Sequence, residues 1–355
     1  MITTNPAEDL EGVTLAPGWT VVERIHQRPG DTGGNFSVNY WVVDESGRRG
    51  FCKVLNYWWL LTTSGLCSDP LSALSSATQI YQFERDLARE CVGLSRVITA
   101  LTDGSFQRDN YLLPLVNYII FEVADGDIRR VLDDAEDLDV AVRLRTLHHL
   151  ATGIRQLHGR NVAHQDVKPS NTLVFAPDLN GLRVTKLGDL GRATVQGKPM
   201  DHDDYEIAGD HAYAPPEGLY RAVPTDFGPR RLACDLYQLG SMVSFIFTAV
   251  SMNGYLKLEL HPTHNWQHWH GTYEDVLPYV RDAFGRSVGR ISTQIPEPIR
   301  DRVAALIRCL CEPDPMLRGH PTTVARVGSP YSLDRIVTEL DLLSRRAAVH
   351  GLKTT

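Results

Sequence analysis

Runs rich in apolar residues, typical of β-strands, recur in the first third of the chain. β-Branched and aromatic residues dominate Trp19–Ile25 and residues 37–43, and a third apolar run covers residues 50–55. Glycines and a proline separate the first two runs, so these two strands are predicted to form a glycine-rich hairpin. Two further strands are predicted at residues 96–101 and 118–123.

The apolar period lengthens to three or four residues where helices are predicted. Apolar positions 80, 83, 87, 91 and 94 predict a helix over about residues 74–94. Similar stripes predict one helix ending near Gly159 and another over residues 234–250. Because strands come first and helices follow, the pattern predicts an α+β protein with two lobes, sheet-rich to about residue 123 and mostly helical beyond it.

We expect one domain over residues 19–345. Its two lobes are residues 19–123 and 124–345. Tails precede and follow the domain at residues 1–18 and 346–355. We interpret the segments near residues 56–75 and 251–295 as insertions. The second contains histidines interleaved with tryptophans, for which a packed aromatic loop is favoured over a zinc or copper site. These histidines are His261, His264, His268 and His270.

Composition restricts the class of partner and the compartment. The 355 residues include 36 lysines and arginines against 43 aspartates and glutamates, a formal net charge of -7 that argues against nucleic acid as a partner. The 6 cysteines form no C-x-x-C pair and favour reduced thiols. The amino terminus lacks signal-peptide features, and no apolar run reaches the roughly 18 residues of a membrane span. We therefore expect a cytoplasmic protein with no membrane partner.

The densest set of reactive side chains lies in residues 164–171, His-Gln-Asp-Val-Lys-Pro-Ser-Asn. Asp166, Lys168 and Asn171 supply an acceptor for a hydroxyl proton, a cation for a moving phosphoryl group and an oxygen ligand for magnesium. Asp189 adds a second carboxylate between glycines, and Lys53 is an ammonium suited to a nucleotide's inner phosphates. Each residue alone is more often part of a surface turn or a capped helix end, but their combination and order predict phosphoryl transfer.

These residues resemble the eukaryotic-type protein kinase family over roughly residues 19–320. The segment 164–171 resembles the catalytic loop, Gly-Asp-Leu-Gly at 188–191 the magnesium-binding loop, and Ala-Pro-Pro-Glu at 214–217 the end of the activation segment. Asp235 resembles the buried aspartate that opens the following helix, and Arg318 the arginine that pairs with Glu217. The resemblance implies a two-lobed fold, with a small antiparallel-sheet lobe carrying one helix and a larger, mostly helical lobe.

The resemblance also implies a role for each matched residue. Asp166 would be the catalytic base, Lys168 would steady the γ-phosphate of ATP, and Asn171 with Asp189 would bind Mg²⁺. Lys53 would bind the inner phosphates. The residues implied for the adenosine part are the gatekeeper Phe121, the hinge residues Glu122, Val123 and Ala124, and the ribose contact Asp127.

Two parts of the nucleotide site stay open at this point. Glu84 and Glu90 lie about equally far from the apolar stripe of their helix, so periodicity does not choose the partner of Lys53. The resemblance favours Glu84, whose distance to the next predicted strand is close to the interval usual in the family. The segment 30–38 does not match G-x-G-x-x-G, so it either covers phosphates through its backbone amides or is a plain hairpin loop. Its candidate contacts are Gly30, Gly33, Gly34 and Val38.

Two substitutions depart from the family pattern. Gln165 stands where the family usually has an arginine that receives an activation-segment phosphate, so we expect no phosphate switch in this segment. The alternative is that Arg192 or another arginine takes the place of the missing one. Asp210 stands where threonine is common, and its carboxylate is expected to pair with Lys168. This pairing would change how the substrate is handled.

The resemblance therefore predicts an ATP-dependent serine/threonine protein kinase that acts on a protein substrate. Lysine at position 168 is the serine/threonine pattern of the family. One alternative is a catalytically silent, nucleotide-binding interaction module of the same fold, although Lys53, Asp166, Asn171 and Asp189 are all present. The other is a small-molecule kinase of the aminoglycoside type, which usually lacks the Ala-Pro-Pro-Glu segment.

Overall fold

The computed structural model describes residues 5–26, 37–63, 69–133, 139–177, 183–325 and 330–351. The chain divides into two compact units. The first comprises residues 1–125 with 189–191, and the second comprises residues 126–188 with 192–355.

The first unit is built on an antiparallel sheet. Its strands are β1 (Thr14–Leu15), β2 (Trp19–Ile25), β3 (Ser37–Asp44), β4 (Arg49–Leu55), β5 (Ala100–Gln107) and β6 (Leu115–Phe121). Their order in the sheet is β1-β2-β3-β4-β6-β5. Its helices are α1 (Tyr57–Thr63) and α2 (Pro70–Glu90). Alternate residues of β3 and β4 are buried, so Val38, Tyr40, Cys52 and Val54 contribute to one core on the inner face of the sheet.

The amino-terminal segment, expected to be a tail, packs on this sheet over its described residues. A 3₁₀ turn at Pro6–Glu8 precedes β1, which pairs with β2. Leu10 and Leu15 are 0% and 2% exposed, and the hydroxyl of Tyr40 donates to the carbonyl of Ala7. The apolar residues here are too few and too widely spaced to show a period, which explains why the sequence pattern missed their burial.

Element boundaries in the first unit differ from the predicted ones by a few residues. The helix expected at 74–94 is α2, which ends at Glu90 because the chain turns through Gly93 with a φ of 90°. The strands expected at 96–101 and 118–123 are β5 and β6, each displaced by several residues. The predicted insertion near 56–75 contains α1 and the start of α2.

The second unit is mostly helical. Its helices are α3 (Ile128–Asp133), α4 (Val140–His158), α5 (Pro216–Leu219), α6 (Ala233–Thr248), α7 (Met252–Glu259), α8 (Tyr273–Ser292), α9 (Glu297–Leu310), α10 (Pro321–Val324) and α11 (Asp334–His350). Short antiparallel strands accompany them: β7 (Gly126–Asp127), β8 (Val162–Ala163), β9 (Thr172–Pro177), β10 (Arg183–Leu187) and β11 (Thr194–Val195). A sheet-rich unit followed by a helical one confirms the predicted α+β, two-lobed fold class.

Helix α6 forms the centre of the second unit and is buried along nearly its whole length. A π-helical turn, Gly228–Leu232, leads into it. Helix α11 packs along α4 and continues to His350 with Ala347 fully buried, so residues 346–350 are not the tail that the sequence suggested. The amphipathic stripe of α11 explains this burial, because the stripe includes Ile336, Leu340 and Leu343.

Among the described helices, none is individually long and apolar enough to cross a membrane. The stretch Gly228–Thr248 reaches the required length and apolarity only together with Met252–Glu259, to which it is bent by 84°.

Candidate active site

In the first unit, Lys53 lies between two carboxylates. Its Nζ is 2.6 Å from Oε1 of Glu84 on α2 and 3.1 Å from Oδ1 of Asp189. Strand β4 fixes the backbone of Lys53 by pairing with β3 and β6. The structure therefore brings together three residues that lie far apart in the sequence.

For both Lys53 and Glu84, burial and the neighbouring charges of opposite sign shift the pKa in opposite directions. Burial disfavours the charge on Lys53, but the carboxylates of Asp189 and Glu84 outweigh it, so the pKa of Lys53 lies above its usual value. Burial raises the pKa of Glu84, although Lys53 pulls it down. An ammonium held charged between two carboxylates is suited to a polyphosphate, which requires a fixed cation.

Of the two glutamates left open by the sequence, Glu84 is the partner of Lys53. Glu84 is 6% exposed, whereas Glu90 is an exposed residue at the end of α2. Because α2 begins and ends four residues earlier than predicted, the helix face that carries Glu84 could not be fixed from periodicity alone.

Asp189 has a left-handed backbone, with a φ of 58°. A residue other than glycine is uncommon in this region, and such conformations are concentrated at functional sites. The Asp189 carboxylate also accepts the N–H of Gly191 at 3.3 Å, which orients one of its oxygens.

The adenosine candidates occupy the end of β6 and the residues after it. Phe121 is the last residue of β6 and is 6% exposed. Glu122 is held against Thr99, since its N–H donates to the Thr99 carbonyl and its Oε1 accepts the Thr99 N–H. Val123 and Ala124 follow without regular secondary structure.

The remaining nucleotide candidates lie in different parts of the chain. Val38 is buried in β3 opposite Val54, while Gly30, Gly33 and Gly34 lie outside the described residues. In the second unit, Asp127 forms a fork with Arg129, whose Nη2 and Nε lie 2.7 and 3.0 Å from the two carboxylate oxygens.

The catalytic-loop candidates form a cluster in the second unit around Asp166, which is 5% exposed. Its Oδ2 lies 3.0 Å from Nζ of Lys168 and accepts Nδ2 of Asn171 at 3.0 Å. Its Oδ1 accepts the backbone N–H of Asp210 at 2.9 Å. The Asp210 carboxylate reaches Lys168 at 3.7 Å, as the sequence led us to expect. These bonds fix the carboxylate and place an ammonium beside it.

Helix α6 holds the backbone of this loop. Asp235 is fully buried, and its two oxygens accept the N–H groups of His164 and Gln165, each at 2.8 Å. The Gln238 side chain accepts the N–H of Val167 and donates to the carbonyl of Gln165, both at 2.9 Å. Buried polar groups require such partners, so the loop geometry is strongly specified.

Both ring nitrogens of His164 form hydrogen bonds with backbone groups in and near the loop. Nδ1 of His164 accepts the N–H of Asp166, so its Nε2 carries the proton and donates to the carbonyl of Gly188 at 3.0 Å. The preceding helix α4 begins at an aspartate cap, Asp139, whose side chain accepts the N–H of Ala141.

Arg318 and Glu217 form a buried fork. Their nitrogen and oxygen atoms pair twice at 2.8 Å, and Arg318 is 0% exposed. Burial disfavours the cation, but Glu217 more than compensates, so the pKa of Arg318 lies above its usual value. Arg318 also donates to the carbonyls of Glu312, Ala233 and Pro313, which ties the residues after α9 to the Ala-Pro-Pro-Glu segment.

The Asn171 side chain fits a divalent cation. Both of its amide protons are directed to Asp166, one to the carbonyl and one to the carboxylate, which leaves its oxygen as the remaining polar atom. Amide and carboxylate oxygens are the ligands that Mg²⁺ prefers. The amide oxygen of Asn171 and, in the first unit, the carboxylate of Asp189 are each of the donor type that the implied ion requires.

The histidine segment packs as an aromatic loop. The ring of His264 stacks on Tyr279 at 3.8 Å between centroids and meets Trp269 at 5.9 Å. In the part of the chain that the structure describes, no group of three or more histidine, cysteine or acidic residues could hold a metal ion.

Sequence reasoning missed three residues at this site. Gln238 has a detectable signal, since it is a polar residue in an apolar helix. Gly209 and Arg231 have none, because their importance depends on contacts distant in sequence. A Cβ at Gly209 would lie 2.7 Å from Oδ1 of Asp166, so only glycine permits this approach.

Most of the site residues lie in the part of the chain that matches a known protein family. A family model described as protein kinase domain matches residues 78–330, more than half of the chain. Lys53 and the expected glycine-rich loop precede the matched part.

Several curated proteins are similar to parts of the chain. Serine/threonine-protein kinase DCLK1 of Rattus norvegicus is 32% identical over 106 residues, covering 30% of this chain and 23% of that protein. Serine/threonine-protein kinase/endoribonuclease IRE2 of Homo sapiens is 28% identical over 178 residues, covering 46% and 19%. Mitogen-activated protein kinase 4 of Homo sapiens is 31% identical over 94 residues, covering 26% and 15%. The aligned part of the chain thus spans less than a quarter of each relative.

Proposed function

The chain belongs to the protein kinase domain family, and we propose that it is an ATP-dependent serine/threonine protein kinase that transfers the γ-phosphate to a protein hydroxyl. The observation that carries this proposal is the arrangement around Asp166. Its carboxylate is fixed by Asn171 and by the N–H of Asp210, with the ammonium of Lys168 at 3.0 Å. We further propose that the protein acts in the cytoplasm.

In this proposal, Asp166 accepts the proton of the acceptor hydroxyl and so orients the oxygen for attack on phosphorus. Lys168 balances negative charge that develops on the transferred group. Bound Mg²⁺ would neutralise phosphate charge, and the residues proposed to hold it are Asn171 and Asp189. Because the Asp166 carboxylate is already hydrogen-bonded before substrate arrives, little reorganisation is required during the reaction.

We propose that Lys53, kept charged and oriented by Glu84, binds the inner phosphates of ATP. The adenine ring is assigned to the segment after β6, beside Phe121. The candidates for the remaining nucleotide contacts are Glu122, Val123, Ala124, Val38, Gly30, Gly33, Gly34 and Asp127. Among these, the carboxylate of Asp127 has to exchange Arg129 for a ribose hydroxyl, so its contribution to affinity is expected to be small.

A protein acceptor is supported over a small molecule by the Glu217–Arg318 fork. The fork fixes the end of the segment that, by resemblance, receives the acceptor chain. Lysine at position 168 and the names of the similar proteins support serine or threonine as the acceptor.

A catalytically silent module is the second candidate. The observation that favours it is the contact of Asp210 with Lys168, because a second carboxylate competes with phosphate for the ammonium.

The test is transfer of labelled γ-phosphate from ATP in the presence of Mg²⁺. Purified full chain is incubated with a basic protein, an acidic protein or an aminoglycoside, and the labelled residue is identified after acid hydrolysis. The proposal expects Mg²⁺-dependent label on serine or threonine of a protein acceptor. Nucleotide binding without label in any acceptor supports the silent module, and label confined to the aminoglycoside supports the small-molecule kinase.

A further inference from the structure

Arg231 connects the activation segment, residues 189–217, to the catalytic loop within the second unit. Its Nη2 donates to the carbonyl of Asp203 at 2.7 Å and lies 3.2 Å from Oδ1 of the Asp203 carboxylate. Its Nη1 donates to Oε1 of Gln165 at 3.2 Å. Arg231 itself is 5% exposed.

Gln165 links Arg231 to the proposed base, Asp166. Its amide nitrogen donates to the carbonyl of Arg231 at 2.8 Å, and its backbone has a left-handed φ of 65°. The next residue in the chain is Asp166. The hydrogen-bonded path therefore runs from Asp203 through Arg231 to Gln165, where a strained backbone orients the peptide that carries Asp166.

Arg231 requires a carboxylate partner. Burial lowers the pKa of its guanidinium, and the adjacent Arg230 lowers it further. Asp203 is the largest influence in the opposite direction, with smaller ones from Cys234 and Asp235. Arg230 also donates to the carbonyl of Asp203. Removing one member of a buried ion pair leaves an uncompensated charge, which is strongly unfavourable.

The activation segment contains three hydroxyl residues, of which one is exposed. They are Thr194, Tyr205 and Tyr213. Thr194 is 2% and Tyr213 8% exposed, whereas Tyr205 is 53% exposed. The segment therefore offers no exposed serine or threonine, although it carries a carboxylate already bound to arginine.

We propose that Asp203 and Arg231 are positioning residues that anchor the activation segment permanently, as a phosphate bound to arginine would. Gln165, which stands beside the base in place of a cation, accepts the hydrogen bond from Arg231. This inference rests on the proposed kinase function, and its consequence is an enzyme that is active without phosphorylation of this segment.

The test compares Asp203→Asn with Asp203→Glu, which retains the charge, and with Asp204→Asn, which removes an exposed carboxylate from the next position. Full-length proteins are assayed for phosphoryl transfer and ATP affinity. Asp203→Asn is expected to lower kcat about tenfold with ATP affinity unchanged. It is also expected to lower Tm, because the buried guanidinium of Arg231 loses its carboxylate partner. Asp203→Glu is expected to recover most of the loss, and Asp204→Asn to match the unchanged protein.

A second readout does not depend on activity. Chymotrypsin cleavage after Tyr205 reports opening of the segment and is expected to become about fivefold faster in Asp203→Asn alone. If the unchanged protein transfers no phosphate, the kinase proposal fails while this cleavage still measures the anchor. Equal cleavage rates in Asp203→Asn and Asp204→Asn would overturn the anchor.

Phosphatase treatment of the unchanged protein is the third arm. Turnover is expected to stay the same. A large loss of turnover that rephosphorylation restores would show a phosphate switch and contradict the anchor's role.

Discussion

The backbone N–H of Asp210 donates to Oδ1 of Asp166 at 2.9 Å, so the last part of the activation segment lies directly against the proposed base. This contact depends on the residue before it. Gly209 passes so close to the catalytic loop that a Cβ would lie 3.1 Å from Cα of Asp166 and would also meet the carbonyl of Gln165.

Gly209→Ala is therefore expected to lower phosphoryl transfer at least about tenfold, because backbone on both sides must move apart and the N–H of Asp210 leaves Asp166. Single-turnover transfer measures this. The control is Gly285→Ala in α8, where nothing lies within 4 Å of the added Cβ. That change should preserve turnover and raise the free energy of unfolding by about 0.5–1 kcal/mol. Equal turnover in the two variants would contradict the close approach.

Glu84→Gln is expected to reduce kcat/KM for ATP at least about tenfold, because a neutral amide no longer helps to orient the charged Lys53. Glu90→Gln is the matched control, since it makes the same change at the exposed end of α2. It should leave kcat/KM unchanged. Steady-state kinetics with varied ATP distinguish the two glutamates. A larger loss of kcat/KM in Glu90→Gln than in Glu84→Gln would contradict the role of Glu84 as the partner of Lys53.

Arg318→Met is expected to lower the free energy of unfolding by about 3–5 kcal/mol, because Glu217 is left as a buried carboxylate without its cation. Urea denaturation measures the difference. Arg281→Gln removes an exposed arginine that contacts Glu312 and Asp314, and it should cost less than about 1 kcal/mol. Similar costs for both variants would show that the Glu217–Arg318 fork contributes little to stability.

The free energy of unfolding is expected to decrease as the pH rises above 9. Burial raises the pKa of Cys309 to about 12 from 9.0 and raises those of Cys52, Cys234 and Cys311 in the same direction. These thiols stay protonated in the folded state while the unfolded chain ionises. The unfolded state thus binds fewer protons between pH 9 and 12, and stability decreases as pH rises.

The contribution of Cys309 alone amounts to about 1 kcal/mol at pH 10. Urea denaturation under reducing conditions at pH 8 and pH 10 tests this expectation. A free energy of unfolding that is equal or higher at pH 10 would contradict it.

Sequence alone predicted the fold class and the catalytic-loop cluster because both depend on local signals. Periodicity separated strands from helices, and Asp166, Lys168 and Asn171 lie within six positions of one another. The burial of Leu10 and Leu15 was missed because two isolated leucines show no period. The roles proposed for the site residues come from the family resemblance and stay predictions until they are measured.

Long-range pairings were harder to predict. The choice between Glu84 and Glu90 depends on where α2 starts, and helix boundaries are set by tertiary contacts and by turns such as that at Gly93. Arg231 lies 28 residues from Asp203 and 66 from Gln165. No periodicity or motif connects such positions, so their contact became visible only in the folded chain.

Asp166 is proposed as the base of a protein kinase, and the most direct measurement compares the unchanged protein with Asp166→Ala. Single-turnover transfer of labelled phosphate to a protein acceptor is measured beside ATP affinity in the presence of Mg²⁺. We predict that the variant loses at least about 100-fold in transfer while its ATP affinity stays within about twofold, because Asp166 acts on the acceptor hydroxyl. Transfer at the unchanged rate in Asp166→Ala would contradict the claim.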